Sequence, residues 1–140
     1  MLPEMRKVLK PLILTMIGGF TYSLIEILYR GYTHWTMFFI GGISFYIIGC
    51  INEKTNVSIF RQMLYGSVII TILEFCAGVV VNRILGWNIW DYSNLPFNIA
   101  GQICPLFSII WFIISFIAII FDDYCRYWIF KEEKPKYRFW

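Results

Sequence analysis

Two glutamates set in apolar surroundings carry the most chemical promise in this chain. Glu26 lies in Ser23-Leu24-Ile25-Glu26-Ile27-Leu28, and Glu74 in Thr71-Ile72-Leu73-Glu74-Phe75. Placing a carboxylate in hydrocarbon costs at least about 2.5–3.5 kcal/mol. Each acid must therefore face a neighbour inside the protein, pair with a cation, or take up a proton. Glu26 has Arg30 one helical turn later on the same face, so an ion pair is within reach. Glu74 has no basic residue within a turn; its partner must come from another helix, or it stays neutral. Two readings stand open for both acids. One is a proton or cation site, or a clamp for a cationic headgroup; the other is a structural hydrogen bond between helices.

A second group lies downstream, in Arg83-Ile84-Leu85-Gly86-Trp87-Asn88-Ile89-Trp90-Asp91-Tyr92-Ser93-Asn94-Leu95-Pro96. Trp90, Asp91 and Tyr92 set aromatic faces beside a carboxylate, which suits a cationic or amphipathic ligand. The same residues suit plain anchoring at headgroup level, with Asp91 capping the turn or pairing with Arg83. Asn98 and Gln102 follow, one helical turn apart if the fourth span begins there. With Pro105 freeing a backbone carbonyl, their amides would form a polar pocket or serve as packing glue. Other chemistries lack their signatures. There is one histidine, His34, and the cysteines (Cys50, Cys76, Cys104, Cys125) form no C-x-x-C, which argues against a zinc site and a disulfide framework. Gly18-Gly19 and Gly41-Gly42 read as close helix packing, and neither a P-loop nor a G-x-S-x-G turn occurs. No metal or cofactor is expected.

The elements that must position these residues follow from composition. Of 140 residues, 59% are hydrophobic, 20% aromatic and only 15% charged, and the mean hydropathy is +0.63. A soluble domain carries about 25% charged residues. This balance argues against a cytosolic globular enzyme, a disordered regulator or a disulfide-knotted toxin. Runs near 12–29, 35–51, 63–81 and 99–121 are each about long enough to span a bilayer as helices. They are continuous rather than alternating, which disfavours a barrel. The sequence thus predicts an all-α integral membrane bundle of four transmembrane helices over residues 1–123. A basic, aromatic tail over 124–140 would rest on anionic lipid or lie in solvent. Ten of the twelve lysines and arginines fall in the two tails and the loop between the second and third spans, so both termini should face the cytoplasm. That bias accounts for the net charge of +3 with the lipid bilayer as partner and no nucleic acid.

The spans also suggest a duplication. Overlaying the third span on the first places Glu74 on Glu26, Gly66 on Gly18 and Thr71 on Ser23. The fourth overlays on the second with Phe97-Asn98-Ile99-Ala100-Gly101 on Phe38-Phe39-Ile40-Gly41-Gly42. Two helical-hairpin repeats related about the membrane normal would result.

Leu73-Glu74-Phe75, Gly78, Trp90-Asp91-Tyr92-Ser93, Asn98, Gly101, Ser108 and Trp111 resemble a bacterial family of ABC-transporter type IV proteins, of the CmpB type. The Glu-Phe and Trp-Asp-Tyr-Ser pairing is also similar to the vertebrate transmembrane protein 229 group. The resemblance runs from Gly18 to Phe121 and implies a small multispan protein without its own ATPase, in the plasma membrane of a prokaryote. It gives weight to Glu74, Trp90, Asp91, Tyr92 and Asn98. The expectation is a permease-like protein in which Glu26 and Glu74 bind a proton, cation or cationic headgroup, with a small-molecule or lipid ligand and a homo-oligomer or partner subunit. The alternatives are a membrane-embedded lipid enzyme, with Glu74 and Asp91 as acid and base, and a non-catalytic accessory or scaffold subunit.

Overall fold

The computed structural model describes residues 2–140. Four helices succeed one another: α1 (Pro3–Arg30), α2 (Trp35–Lys54), α3 (Ile59–Gly78) and α4 (Pro105–Phe130); a π-helical turn over Val79–Ile84 prolongs α3. All four are long and apolar enough to cross a membrane. The described residues contain no strand beyond an isolated Ile99–Ile103 bridge.

Local chemistry sets the ends. Gly31 stops α1 in the left-handed region at φ 83°, and its N–H donates to the Ile27 carbonyl, as the glycine after a helix commonly does. His34 caps α2, its Nδ1 accepting from the Thr36 N–H. The last helix begins at Pro105, not at Ile99 as the apolar run suggested. Phe97, Ala100 and Gly101 have φ of 57°, 54° and 71°, which a right-handed helix cannot accommodate. Pro105 occupies the first turn of α4, where its missing N–H breaks no helical bond. It therefore frees no carbonyl for a pocket, and Asn98 and Gln102 belong to a loop instead of a helix face.

The helices run alternately up and down. One end gathers the start of α1, the end of α2 and the end of α4, because Lys10 pairs with Glu53 and Glu132 at 2.6 Å each and Arg6 with Glu132 at 3.0 Å. The final residues close over this end. Arg138 accepts the Ile59 N–H at its carbonyl (2.7 Å), its guanidinium donates to the Asn56 carbonyl, and Trp140 stacks on Phe60. The basic tail thus docks on the α2–α3 connection, and Arg126, read from sequence as part of it, is buried in α4.

Polarity is inverted relative to a soluble bundle. Leu28, Ile72, Ile109 and Ile117 face outward, while Ser44, Ser67, Glu74, Ser115, Asp122 and Arg126 are buried. Such an arrangement is stable when hydrocarbon is the solvent. Within each hairpin the contacts are close. A Cβ added at Gly18 would lie 2.4 Å from Phe45 Cβ, and one at Gly42 would lie 2.4 Å from the Thr15 carbonyl oxygen. Across α3 and α4, Ser67 donates to the Ser108 carbonyl at 2.6 Å and Thr71 shares a hydrogen bond with Ser108. Helices α1 and α2 form one tight pair, α3 and α4 another, and α1 barely touches α4. The loosely closed α1–α4 seam is where the site lies.

Candidate functional site

Glu74 projects from the middle of α3 into the bundle and is 4% exposed. Its two oxygens are held separately. The Tyr92 hydroxyl donates to Oε1 at 2.7 Å, and the Trp111 indole N–H donates to Oε2 at 3.0 Å. Both donors are neutral and no cation lies within ion-pair distance among the described residues, so the carboxylate is oriented without being neutralised. Glu26 is in the opposite state. Arg30 pairs with it at 3.1 Å and the Thr33 hydroxyl donates to it at 2.9 Å. Arg30 also reaches the Ile89 carbonyl at 2.9 Å and lies 4.4 Å over the Tyr32 ring. That side chain therefore ties the outer loop to α1. The two glutamates, alike in sequence setting, differ in structure: one is compensated, the other has only dipoles.

Two cavities lie along the α1–α4 seam. The inner one, 110 Å³, is bounded by Glu74, Ser44, Tyr22, Trp90 and Trp111. The outer one, 190 Å³, is bounded by Glu26, Arg30, Tyr29, Tyr92 and Phe107, and it shares Tyr22, Trp90 and Trp111 with the first. Ser44 is buried and its hydroxyl has no hydrogen-bond partner. On the rims Ile25 is 40% and Ile117 62% exposed, so the seam faces sideways, toward what would be lipid. The Tyr92 ring stacks on Phe107 at 4.4 Å, and the Tyr22 ring lies 6.0 Å from Trp111. The result is a carboxylate at the back of an aromatic box.

The outer loop is built to hold Trp90 and Tyr92 in place. The π-helical turn aims Asn82 inward, where its Oδ1 accepts the Ile89 N–H at 2.7 Å and its Nδ2 donates to Gln102 Oε1 at 2.8 Å. The Gln102 carbonyl in turn accepts the Trp90 indole N–H at 3.1 Å. Gly78 leaves the room: a Cβ there would lie 2.5 Å from Gln102 Oε1 and 2.9 Å from Trp90. Single π-helical turns within α-helices are frequent at functional sites.

The sequence-predicted residues divide accordingly. Glu26, Arg30, Glu74, Trp90 and Tyr92 converge on the seam. Gln102 supports Trp90 from behind. Asn98 fastens the loop, donating to the Ser93 and Leu95 carbonyls and accepting the Gly101 N–H. Asp91 is exposed and bonded to the Ser93 hydroxyl and N–H, which hold its carboxyl below the usual carboxylate range. The expected Arg83–Asp91 ion pair is not formed. Asp91 already has Ser93 as a short-range partner, and Arg83 is itself exposed, where such a pair gains little. Asp91, Asn98 and Arg83 border neither cavity.

Two groups escaped the sequence reading. Tyr22, one turn before Glu26, was not singled out, and Trp111 entered only through the family resemblance. The larger omission is a charged cluster at the other end of the bundle. Asp122 and Asp123 follow directly on an apolar run that seemed to close at Phe121, and the spacing of Asp122 to Arg126, one turn, was the available signal. Arg126 pairs with Asp122 at 2.6 Å and with Glu53 at 2.7 Å. Asn52 donates to Asp123 at 2.5 Å, and Gln62 donates to Asn52 at 3.0 Å.

No curated protein and no solved structure was found to be similar to the chain. The family model described as "Putative ABC-transporter type IV" matches residues 9–137, a range that takes in all four helices, the seam and the charged cluster. On that match the chain belongs to the family so described.

Proposed function

We propose that this protein is a small permease-like membrane protein that binds a cationic headgroup at Glu74, entering sideways between α1 and α4. The observation that carries the reading is the state of Glu74: buried, fixed by two neutral donors, uncompensated by any base, and at the back of a cavity walled by aromatic rings. Tyrosine and tryptophan faces attract cations, by about 0.5–2 kcal/mol per contact. The neutral donors keep the carboxylate aimed while leaving its charge for a ligand. Glu26 and Arg30, paired at the outer cavity, would line the approach.

The catalytic alternative draws no support from the geometry, because Asp91 is bound to Ser93 at the surface and Asn98 is spent on its loop. An alkylammonium amphiphile tests the proposal. At about 4 Å and an effective dielectric of about 20, a charge pair gains about 4 kcal/mol. Allowing about half for desolvation leaves about 2 kcal/mol, or about 30-fold in affinity. Saturable binding of octyltrimethylammonium to the protein in nanodiscs should weaken by about that factor in Glu74→Gln. It should change less than threefold in Asp91→Asn. Equal binding by Glu74→Gln and the unaltered protein removes the site.

A further inference from the structure

The cavity in front of Glu74 is poor in acceptors for the N–H groups of a ligand. Both carboxylate oxygens already hold donors, Oε1 the Tyr92 hydroxyl at 2.7 Å and Oε2 the Trp111 indole N–H at 3.0 Å. The Trp90 indole N–H is spent on the Gln102 carbonyl at 3.1 Å. The other oxygen-bearing side chains on the inner wall are Thr21, Tyr22 and Ser44, and the Ser44 hydroxyl is enclosed without a partner. Among the described residues, helices α2 and α4 bring no charged side chain to either cavity. In the outer cavity Arg30 and Glu26 satisfy each other at 3.1 Å, and Thr33 adds a second donor to Glu26 at 2.9 Å.

Hydrogen-bond arithmetic decides which cationic head such a space takes. A primary ammonium carries three N–H donors and no acceptor. Each donor buried without an acceptor costs free energy that water would not have charged. A quaternary ammonium has no N–H to satisfy, spreads its charge over methyl groups, and is drawn to ring faces. It needs the field of the carboxylate and not a free lone pair on it. Tyr22, Trp90 and Trp111 border both cavities, and they supply rings whose recorded polar contacts are already made. Ile25 and Ile117 on the rims are exposed sideways, which gives an alkyl chain a way out toward lipid. We propose that the Glu74 site selects quaternary over primary ammonium, and that its ligand is an amphiphile with a trimethylammonium head and an alkyl chain. This rests on the proposed binding of a cationic head at Glu74 and narrows it to one class. The same head is carried by free amphiphiles and by choline lipids.

Octyltrimethylammonium and octylammonium, both cationic at neutral pH, are titrated calorimetrically into the full chain in uncharged detergent. Octyltrimethylammonium should bind at least about tenfold tighter, since the primary amine loses acceptors on entry. Tyr92→Phe keeps the ring and frees Oε1 from its donor. In that variant octylammonium should tighten at least about threefold, while octyltrimethylammonium should change by less than about threefold. If Tyr92→Phe does not fold, the two cations on the unaltered protein decide alone. In nanodiscs, a lipid source predicts that phosphatidylcholine, but not phosphatidylethanolamine, blocks the octyltrimethylammonium titration; a free source predicts that neither does. Selection is overturned, with cation binding at Glu74 left standing, if octylammonium binds as tightly as octyltrimethylammonium or if a folded Tyr92→Phe leaves their ratio unchanged. Blocking by both lipids alike overturns it too. If neither cation binds saturably, the selection and the cation site fall together.

Discussion

Replacing Glu74 by leucine and by glutamine separates the packing role of this side chain from its charge. Leucine fills similar space but leaves the Tyr92 hydroxyl and the Trp111 indole N–H with no acceptor. Each buried donor so orphaned costs about 1–3 kcal/mol, against which the added apolar burial returns about 1–2 kcal/mol. Taking the middle of each range, about 4 kcal/mol lost against about 1.5 kcal/mol returned, the net loss expected is about 2–3 kcal/mol. Glutamine can satisfy both sites. Its Oε1 accepts from Trp111, and its Nε2 donates to the Tyr92 oxygen, because a phenol both donates and accepts. Stability should then stay within about 1 kcal/mol of the unaltered protein while the ligand charge is lost. Unfolding by dodecyl sulfate in mixed micelles, followed by circular dichroism, measures both changes. If leucine proves as stable as glutamine, the two hydrogen bonds do not hold Glu74, and the account of an aimed carboxylate fails with them.

Other perturbations probe the scaffold. Gly49→Ala puts a Cβ 2.1 Å from Asp122 Oδ2, so the Arg126 ion pairs must shift; a loss of about 1–3 kcal/mol should appear in the same unfolding assay. Removing residues 138–140 takes away the Ile59–Arg138 hydrogen bond and the Phe60–Trp140 stack, and hydrogen exchange across 55–60 should quicken while the α1–α2 hairpin, which keeps its ion pairs to Glu132, is unchanged. Arg30→Lys loses the shared grip on Glu26 and the Ile89 carbonyl, so exchange in 87–92 should rise more than in α1. Because Ser93 depresses the Asp91 pKa, that contact contributes to the turn above the ordinary carboxylate range and is lost as pH falls through the lowered folded value. Ser93→Ala should therefore move the Asp91 midpoint upward in a carboxyl-resolved NMR titration.

Much of the architecture was legible because hydrocarbon is an unforgiving solvent. Apolar runs of spanning length leave few alternatives to helices, and they gave the hairpin order. The rarity of acids in such runs picked out Glu26 and Glu74, and helical spacing alone supplied the Glu26–Arg30 pair. The start of the fourth helix was misread because Ile99–Cys104 is as apolar as a span, while its left-handed backbone at Ala100 and Gly101 is a tertiary outcome. Asp91 drew attention through its aromatic neighbours, yet strand-like alternation in the loop turns Trp90 and Tyr92 inward and leaves Asp91 outside. Sequence by itself thus determined the solvent, the number of helices and the two acids that need a reason to be there. Only the tertiary structure decided that Glu26 is neutralised and Glu74 is not, and that Arg126 pairs with Glu53 as well as with Asp122. Compensation of a buried charge depends on side chains brought from other helices, and linear spacing reaches no further than one turn.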